Sequence, residues 1–228
     1  MSFDDEHLTR AMREGMRVGM APSAPLHSSL RDGVLELWSP GGVILGLLAG
    51  PPDAQHGALM VGGAIGGFGG PAGSVYHDLA DRLAAAGIAS LRLHGRAPSD
   101  LEACVQDVLV AMAWWSERGL RRAVAVGHSL GGATALTAAA LIPELVGVVA
   151  LASQTAGTEL VDRLGETPVL LIHGDADPVI PLACSVSIHQ RVPGRKELVV
   201  LPGCGHVMSE AADEIVERLA TWIPATLG

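Results

Sequence analysis

Lysine is almost missing from this chain: Lys196 is the only one. Fifteen basic side chains stand against 24 acidic ones, giving a net charge of −9, and no basic cluster exists. Nucleic acid and anionic membrane are therefore excluded as main partners, because both are recognised through gathered cations. Cysteine is scarce too. Cys104, Cys184 and Cys204 are an odd number with no metal-type spacing, and the simplest reading is a reduced, cytoplasmic chain. An export signal is missing: the N-terminus carries Asp4-Asp5-Glu6 and no apolar h-region. No unbroken apolar run is long enough to cross a bilayer. The stretch from Ala133 to Ala152 comes nearest, but Pro143-Glu144 cuts it into halves that are each too short. Those halves read as a buried helix and the next buried strand.

What is present suits one α/β domain. The chain has 228 residues, 49% of them apolar, enough for a full core. Residues 1–27 stand apart as an N-terminal helix or arm. Asp5 to Met20 carries Leu8, Met12 and Met16 on one helical side, and Ala21-Pro22-Ser23-Ala24-Pro25 ends it. Such a stripe packs on the main domain, 28–228, or makes a homodimer contact. A hairpin follows: Val34 to Trp38 and Val43 to Leu48 flank the turn Ser39-Pro40-Gly41-Gly42.

From Ala58 onward, strands alternate with helices. Strands are expected over 58–62, 88–93, 123–126, 146–152, 169–173 and 197–201. Helices are expected over 72–86, 100–117, after Ser129, and over about 182–191 and 210–223. The inner strands are near-continuous runs of Val, Ile, Leu and Ala. Burial on both faces follows, hence a mostly parallel sheet of about eight strands with helices on both sides. No repeat or linker divides it.

Gly127-His128-Ser129-Leu130-Gly131 follows the apolar run Ala123-Val124-Ala125-Val126. This is G-x-S-x-G where a buried strand enters a helix, a turn that lifts a serine hydroxyl above a sheet. The flanking glycines keep side chains out of a crowded turn. The helix behind it aims free N–H groups at negative charge. Alone, Ser129 reads equally well as an N-cap. A catalytic serine needs a base, and the base needs a carboxylate. Two later segments offer them, each after a buried strand: His173-Gly174-Asp175-Ala176-Asp177-Pro178-Val179 and Gly203-Cys204-Gly205-His206.

On these three motifs the chain resembles the α/β-hydrolase superfamily over about residues 30–224, most closely its dienelactone-hydrolase-like and small serine esterase members. The resemblance implies the α/β-hydrolase fold and the chain order Ser, acid, His. It makes Ser129 the nucleophile, Asp177 the acid and His206 the base. Asp177 takes the acid role because it sits just before the Pro-Val pair; Asp175 then reads as a turn residue binding backbone N–H groups. Dienelactone hydrolases proper carry cysteine at the elbow, so serine points toward ordinary ester chemistry. The oxyanion hole falls to the N–H groups of Leu130 and Ala64, with Ile65 as fallback. Family members often have His-Gly-x where this chain has Gly62-Gly63-Ala64, and Gly66-Gly67-Phe68-Gly69-Gly70 follows.

Around this centre, Tyr76, His77 and His94 are expected to line the substrate pocket, and His128 and His173 to be structural. Of Trp114 and Trp115, adjacent on one helix, one is expected to pack and the other to lie near the surface. Only a short segment joins Leu151 to Val169, so no large lid domain is expected. The cleft is open and suits short acyl groups. The implied activity is a serine hydrolase of carboxylesterase type, cleaving small esters or thioesters through an acyl-enzyme without cofactor or metal. Peptidase or perhydrolase chemistry would use the same triad, and a non-catalytic relative would bind a ligand there. Gly67-Phe68-Gly69-Gly70-Pro71-Ala72 matches a dinucleotide fingerprint. It begins well past the strand end, however, and the next strand ends Arg92-Leu93-His94 without the acid a ribose needs. Cys204 and His206 are too few ligands for a metal.

Overall fold

The structure is a computed structural model, and it describes residues 27–31 and 33–228. The helix expected over 5–20 lies outside the described residues. Nine strands form one sheet: β1 (His27–Arg31), β2 (Val34–Ser39), β3 (Gly42–Ala49), β4 (His56–Val61), β5 (Ala89–His94), β6 (Arg122–His128), β7 (Leu145–Leu151), β8 (Val169–Gly174) and β9 (Lys196–Leu201). Their order across the sheet is β1-β2-β3-β5-β4-β6-β7-β8-β9. β1, β2 and β3 form an antiparallel meander, and β3 runs antiparallel to β5. All remaining pairs are parallel. β1 is the strand not expected from the sequence, and it starts at His27, the last residue of the expected arm.

Among the described residues five α-helices cover the faces: α1 (Val75–Ala85), α2 (Leu101–Ser116), α3 (Leu130–Ala139), α4 (Ala183–Arg191) and α5 (Ala212–Leu227). The pleat divides each inner strand between two cores. Ala123 and Ala125 of β6 join the core under α2, α3 and α4, while Val124 and Val126 join the one under α1 and α5. Continuous apolar runs in the sequence reflect this two-sided burial. The last helix continues through Pro224, past its expected end. Trp114 and Trp115 are both buried, which corrects the expectation that one of the two would lie near the surface. Helix α2 packs on α3 and also reaches β2, so two of its sides are covered. Trp114 takes the Arg118 guanidinium at 4.3 Å, and Trp115 fills the space that Gly57 leaves open beside Leu120.

The chain leaves β4 toward β5 but enters β6 on the other side of β4. The loops after β4 and β6 thus part in opposite directions, which opens a crevice at the carboxyl ends of these strands. Between β7 and β8 the chain makes only loops and a 3-10 turn at Val161–Arg163, and there is no large lid. No helix among the described residues is long and apolar enough to cross a membrane.

Candidate active site

Ser129 stands between β6 and α3 with φ 59° and ψ −119°. Non-glycine residues rarely hold positive φ, and they persist there only where surrounding structure forces it. Here the forcing is steric. A Cβ at Gly127 would run into the Gly131 carbonyl, and a Cβ at Gly131 into the carbonyls of Val61 and Gly62. Only glycine lets the helix start turn so closely over the strand ends. The Ser129 N–H donates to Leu151 O at 2.8 Å, which ties the turn to β7. The Ser129 side chain makes no capping bond, so the N-cap reading fails. Leu130 opens α3, and its N–H has no acceptor within the helix.

The loops after β8 and β9 bring Asp177 and His206 together. His206 Nδ1 lies 2.8 Å from Asp177 Oδ2, with the carboxylate fully buried and the imidazole 16% exposed. Asp177 Oδ1 accepts the N–H groups of Val179 at 2.7 Å and Ile180 at 2.9 Å. Burial pushes this carboxyl upward. The Ile180 N–H, the His206 ring and the Val179 N–H together overcome that and hold it below the usual carboxylate range. Asp177 is thus an anion aimed at His206 Nδ1, leaving Nε2 as the free nitrogen. Asp175 is turned elsewhere: its Oδ1 accepts the Gly203 N–H at 2.6 Å and pins the β9 loop, as the turn reading expected.

His128 joins this loop to the elbow. Its Nε2–H donates to the His206 carbonyl at 3.0 Å, and the two rings lie 4.8 Å apart. His128 directly precedes Ser129, so this contact ties the His206 backbone to the elbow. Burial, the largest influence, lowers the His128 pKa to about 4, so the ring is neutral near pH 7. His173 is fully buried and bonded at both ring nitrogens. Both histidines are structural in the sense expected of them.

The glycine loop after β4 forms the other wall. A Cβ added at Gly63 would sit 3.4 Å from Ser129 Cβ, so this loop runs alongside the serine. The Gly66 N–H donates to Gly63 O at 2.8 Å, which closes a turn with Ala64 and Ile65 at its tip. Ala64 is exposed and Ile65 is 94% exposed.

Tyr76 does not line a pocket, and here the structure corrects the sequence reading. It has no exposed surface. Its hydroxyl donates to Val61 O at 2.9 Å, its own N–H donates to Gly69 O at 2.9 Å, and its ring lies against Gly70. Tyr76 therefore clamps both ends of the glycine loop from beneath. His77 is exposed on α1, 3.9 Å from Asp81. His94 is half-buried, and its Nδ1 accepts the Gly67 N–H at 2.9 Å, which leaves only its Nε2 edge for a ligand.

A further support went unread in the sequence. Asp107 accepts from Arg96 through both the backbone N–H and the guanidinium, and Arg96 also donates to Ser39 Oγ at 2.9 Å. This fixes the loop just after His94. Burial raises the Asp107 carboxyl, and the bonds from Arg96 act against that rise. The available signal was Asp107, the one carboxylate beyond the first turn of the largely apolar helix 101–116. Cys204 is buried in the core under α1 and α5.

Residues 99–223 match the family model described as Phospholipase/Carboxylesterase. No curated protein sequence matches the chain. Among solved structures, a dienelactone hydrolase from Anabaena variabilis is 20% identical, with TM-score 0.73, covering 89% of this chain and 99% of that one. Est1E from Butyrivibrio proteoclasticus is 17% identical with TM-score 0.72, covering 84% and 97%. The esterase domain of a Rhodothermus marinus protein is 19% identical with TM-score 0.68, covering 89% and 98%. At these identities the likeness is one of fold, and that fold is the α/β hydrolase.

Proposed function

From the premise that the chain belongs to the phospholipase/carboxylesterase family of α/β hydrolases, we propose that it is a serine hydrolase of small carboxylic esters or thioesters. The observation that carries this reading is the 2.8 Å bond between His206 Nδ1 and Asp177 Oδ2, with the His206 carbonyl held by the residue preceding Ser129. In this mechanism His206 Nε2 takes the Ser129 Oγ proton as Oγ attacks the substrate carbonyl carbon. Asp177 fixes the Nδ1–H tautomer and stabilises the imidazolium that forms. The Leu130 N–H and the Ala64 N–H of the neighbouring glycine loop receive the negative oxygen of the tetrahedral intermediate. Collapse expels the alcohol or thiol, which takes the proton from His206 and leaves an acyl-Ser129 ester. Water gives its proton to His206 as it attacks the acyl carbon; collapse frees the acid, and Ser129 Oγ takes the proton back from His206. The short β7–β8 connection leaves the crevice uncovered, which suits compact, soluble substrates.

The test is covalent labelling with a fluorophosphonate probe, mapped by mass spectrometry, on the protein and on Ser129→Ala. The expected result is one adduct, on Ser129, absent from the variant. A folded protein that takes no label sinks the assignment.

A further inference from the structure

The Asp177 carboxylate has more N–H groups close around it than it has bonds to them. Oδ1 takes two backbone N–H groups, and on Oδ2 the His206 Nδ1 arrives at 2.8 Å while His173 Nε2 stands at 3.3 Å. The same His173 nitrogen lies 2.9 Å from the Ile180 carbonyl. A carboxylate and a carbonyl can only accept, so the neutral His173 ring carries its hydrogen on Nε2. Its Nδ1 is then a lone pair, and Ser185 Oγ, 2.7 Å away, donates to it. Ser185 comes from α4, and both it and His173 have no exposed surface. The titratable groups around this pair are Asp177 and His206, with His128 beyond them.

We infer that His173 and Ser185 are positioning residues of the hydrolytic reaction, extending the line Ser129–His206–Asp177 by two buried groups. This rests on the serine-hydrolase reading above. A donor beside a carboxylate draws charge toward itself and favours the anion. The His173 Nε2–H, bonded to the Ile180 carbonyl, stands 3.3 Å from Oδ2 without bonding it, and its dipole there lessens the charge that His206 meets. The Ser185 hydroxyl, donating into Nδ1, polarises the ring and strengthens its Nε2–H as a donor. Deleting either group therefore makes His206 more basic, with His173 the larger effect.

The test compares the protein with Ser185→Ala, Ser185→Thr and His173→Phe on p-nitrophenyl acetate from pH 5 to 9. Active sites are counted by fluorophosphonate and folding is checked by circular dichroism. The midpoint of the acid limb of kcat/KM is expected to rise by about 0.3 unit in Ser185→Ala and about one unit in His173→Phe, following the weakening or loss of the N–H dipole beside the carboxylate. Ser185→Thr, which keeps the hydroxyl, restores the original midpoint. Unmoved midpoints with fewer active sites would reduce the pair to core packing and overturn the inference. Ser185→Ala alone carries this comparison should His173→Phe fail to fold. A second readout needs no turnover: 15N NMR of the histidine rings should show His173 as the Nε2–H tautomer. An Nδ1–H or doubly protonated ring would overturn the inference. Folded protein that shows this tautomer but takes no label removes the hydrolase reading, and the inference falls with it.

Discussion

The loop after β8 seats its acid by bonds that close within a few positions and pins the loop after β9, whereas the loop after β4 is held from outside. Asp177 is seated by the N–H groups of Val179 and Ile180, two and three residues on, and Asp175 binds the next loop at Gly203. The glycine loop has one such internal closure, between Gly66 and Gly63. Its other restraints come from Tyr76 on α1 and His94 at the end of β5. In the first wall the proposed acid and base are fixed by polar bonds within and between two adjacent loops. The second is a backbone surface whose shape depends on the packing of two other elements. Electrostatic stabilisation needs donors held in place before charge develops, so the second wall works only as well as its supports.

The harshest way to break the comparison is on the first wall. Asp177→Asn keeps the shape and hydrogen-bonding capacity but loses the anion that selects the Nδ1–H tautomer of His206. The expected loss is about 10⁴-fold in kcat, the scale on which a triad serves as one unit. KM should move little, since Asp177 is fully buried and touches no substrate. Steady-state kinetics on a p-nitrophenyl ester, beside a melting curve showing folded protein, checks it. A loss under tenfold would mean that another group orients His206.

The same division explains what the sequence made legible. The G-x-S-x-G turn, the two carboxylates and the Gly-x-Gly-His loop each state their geometry within a few residues. At Gly127 and Gly131 the spacing alone carries the steric requirement that the structure displays. Strand runs were readable because burial on both faces writes itself as unbroken Val, Ile, Leu and Ala. Tyr76 was misread because its partners, Val61 and Gly69, belong to other segments, and no local pattern says which way an aromatic at a helix start will turn. The Trp114–Trp115 pair was misread similarly, since the space that Trp115 fills is left by a glycine on β4. β1 escaped because it is an edge strand of mixed polarity, His27-Ser28-Ser29-Leu30-Arg31, whose identity comes from pairing with β2.

His128 touches both walls, and its protonation sharpens the comparison through pH. Its pKa is about 4 in the folded protein because burial disfavours the charged ring, against about 6.5 in an unfolded chain. Between those values the unfolded chain binds the extra proton, so stability rises with pH across this window. The neutral ring's contribution is complete above pH 6.5. It is lost as pH falls toward 4, by about 3 kcal/mol for a shift of this size. Urea unfolding at pH 7, 5.5 and 4.5 should show this slope. His128→Gln keeps a donor for the His206 carbonyl but cannot titrate, and should flatten the slope. If the variant keeps the full slope, the proton goes to another site.

Tyr76→Phe gives the smallest expected effect and separates the two views of this residue most cleanly. The change removes the hydroxyl that donates to Val61 O and leaves the ring against Gly70 in place. The Val61 carbonyl loses one buried donor, a cost of about 1–2 kcal/mol, visible in denaturant midpoints. The Tyr76 N–H still holds Gly69 O, so the loop stays anchored at one end. Part of the lost restraint appears at the oxyanion side, and kcat should fall by less than about tenfold, the equivalent of 1.4 kcal/mol. KM should not change with acyl size, because a side chain without exposed surface cannot touch the substrate. The opposite pattern, unchanged stability with a KM that follows acyl bulk, would return Tyr76 to the cleft. It would also mean that the glycine loop is supported from elsewhere.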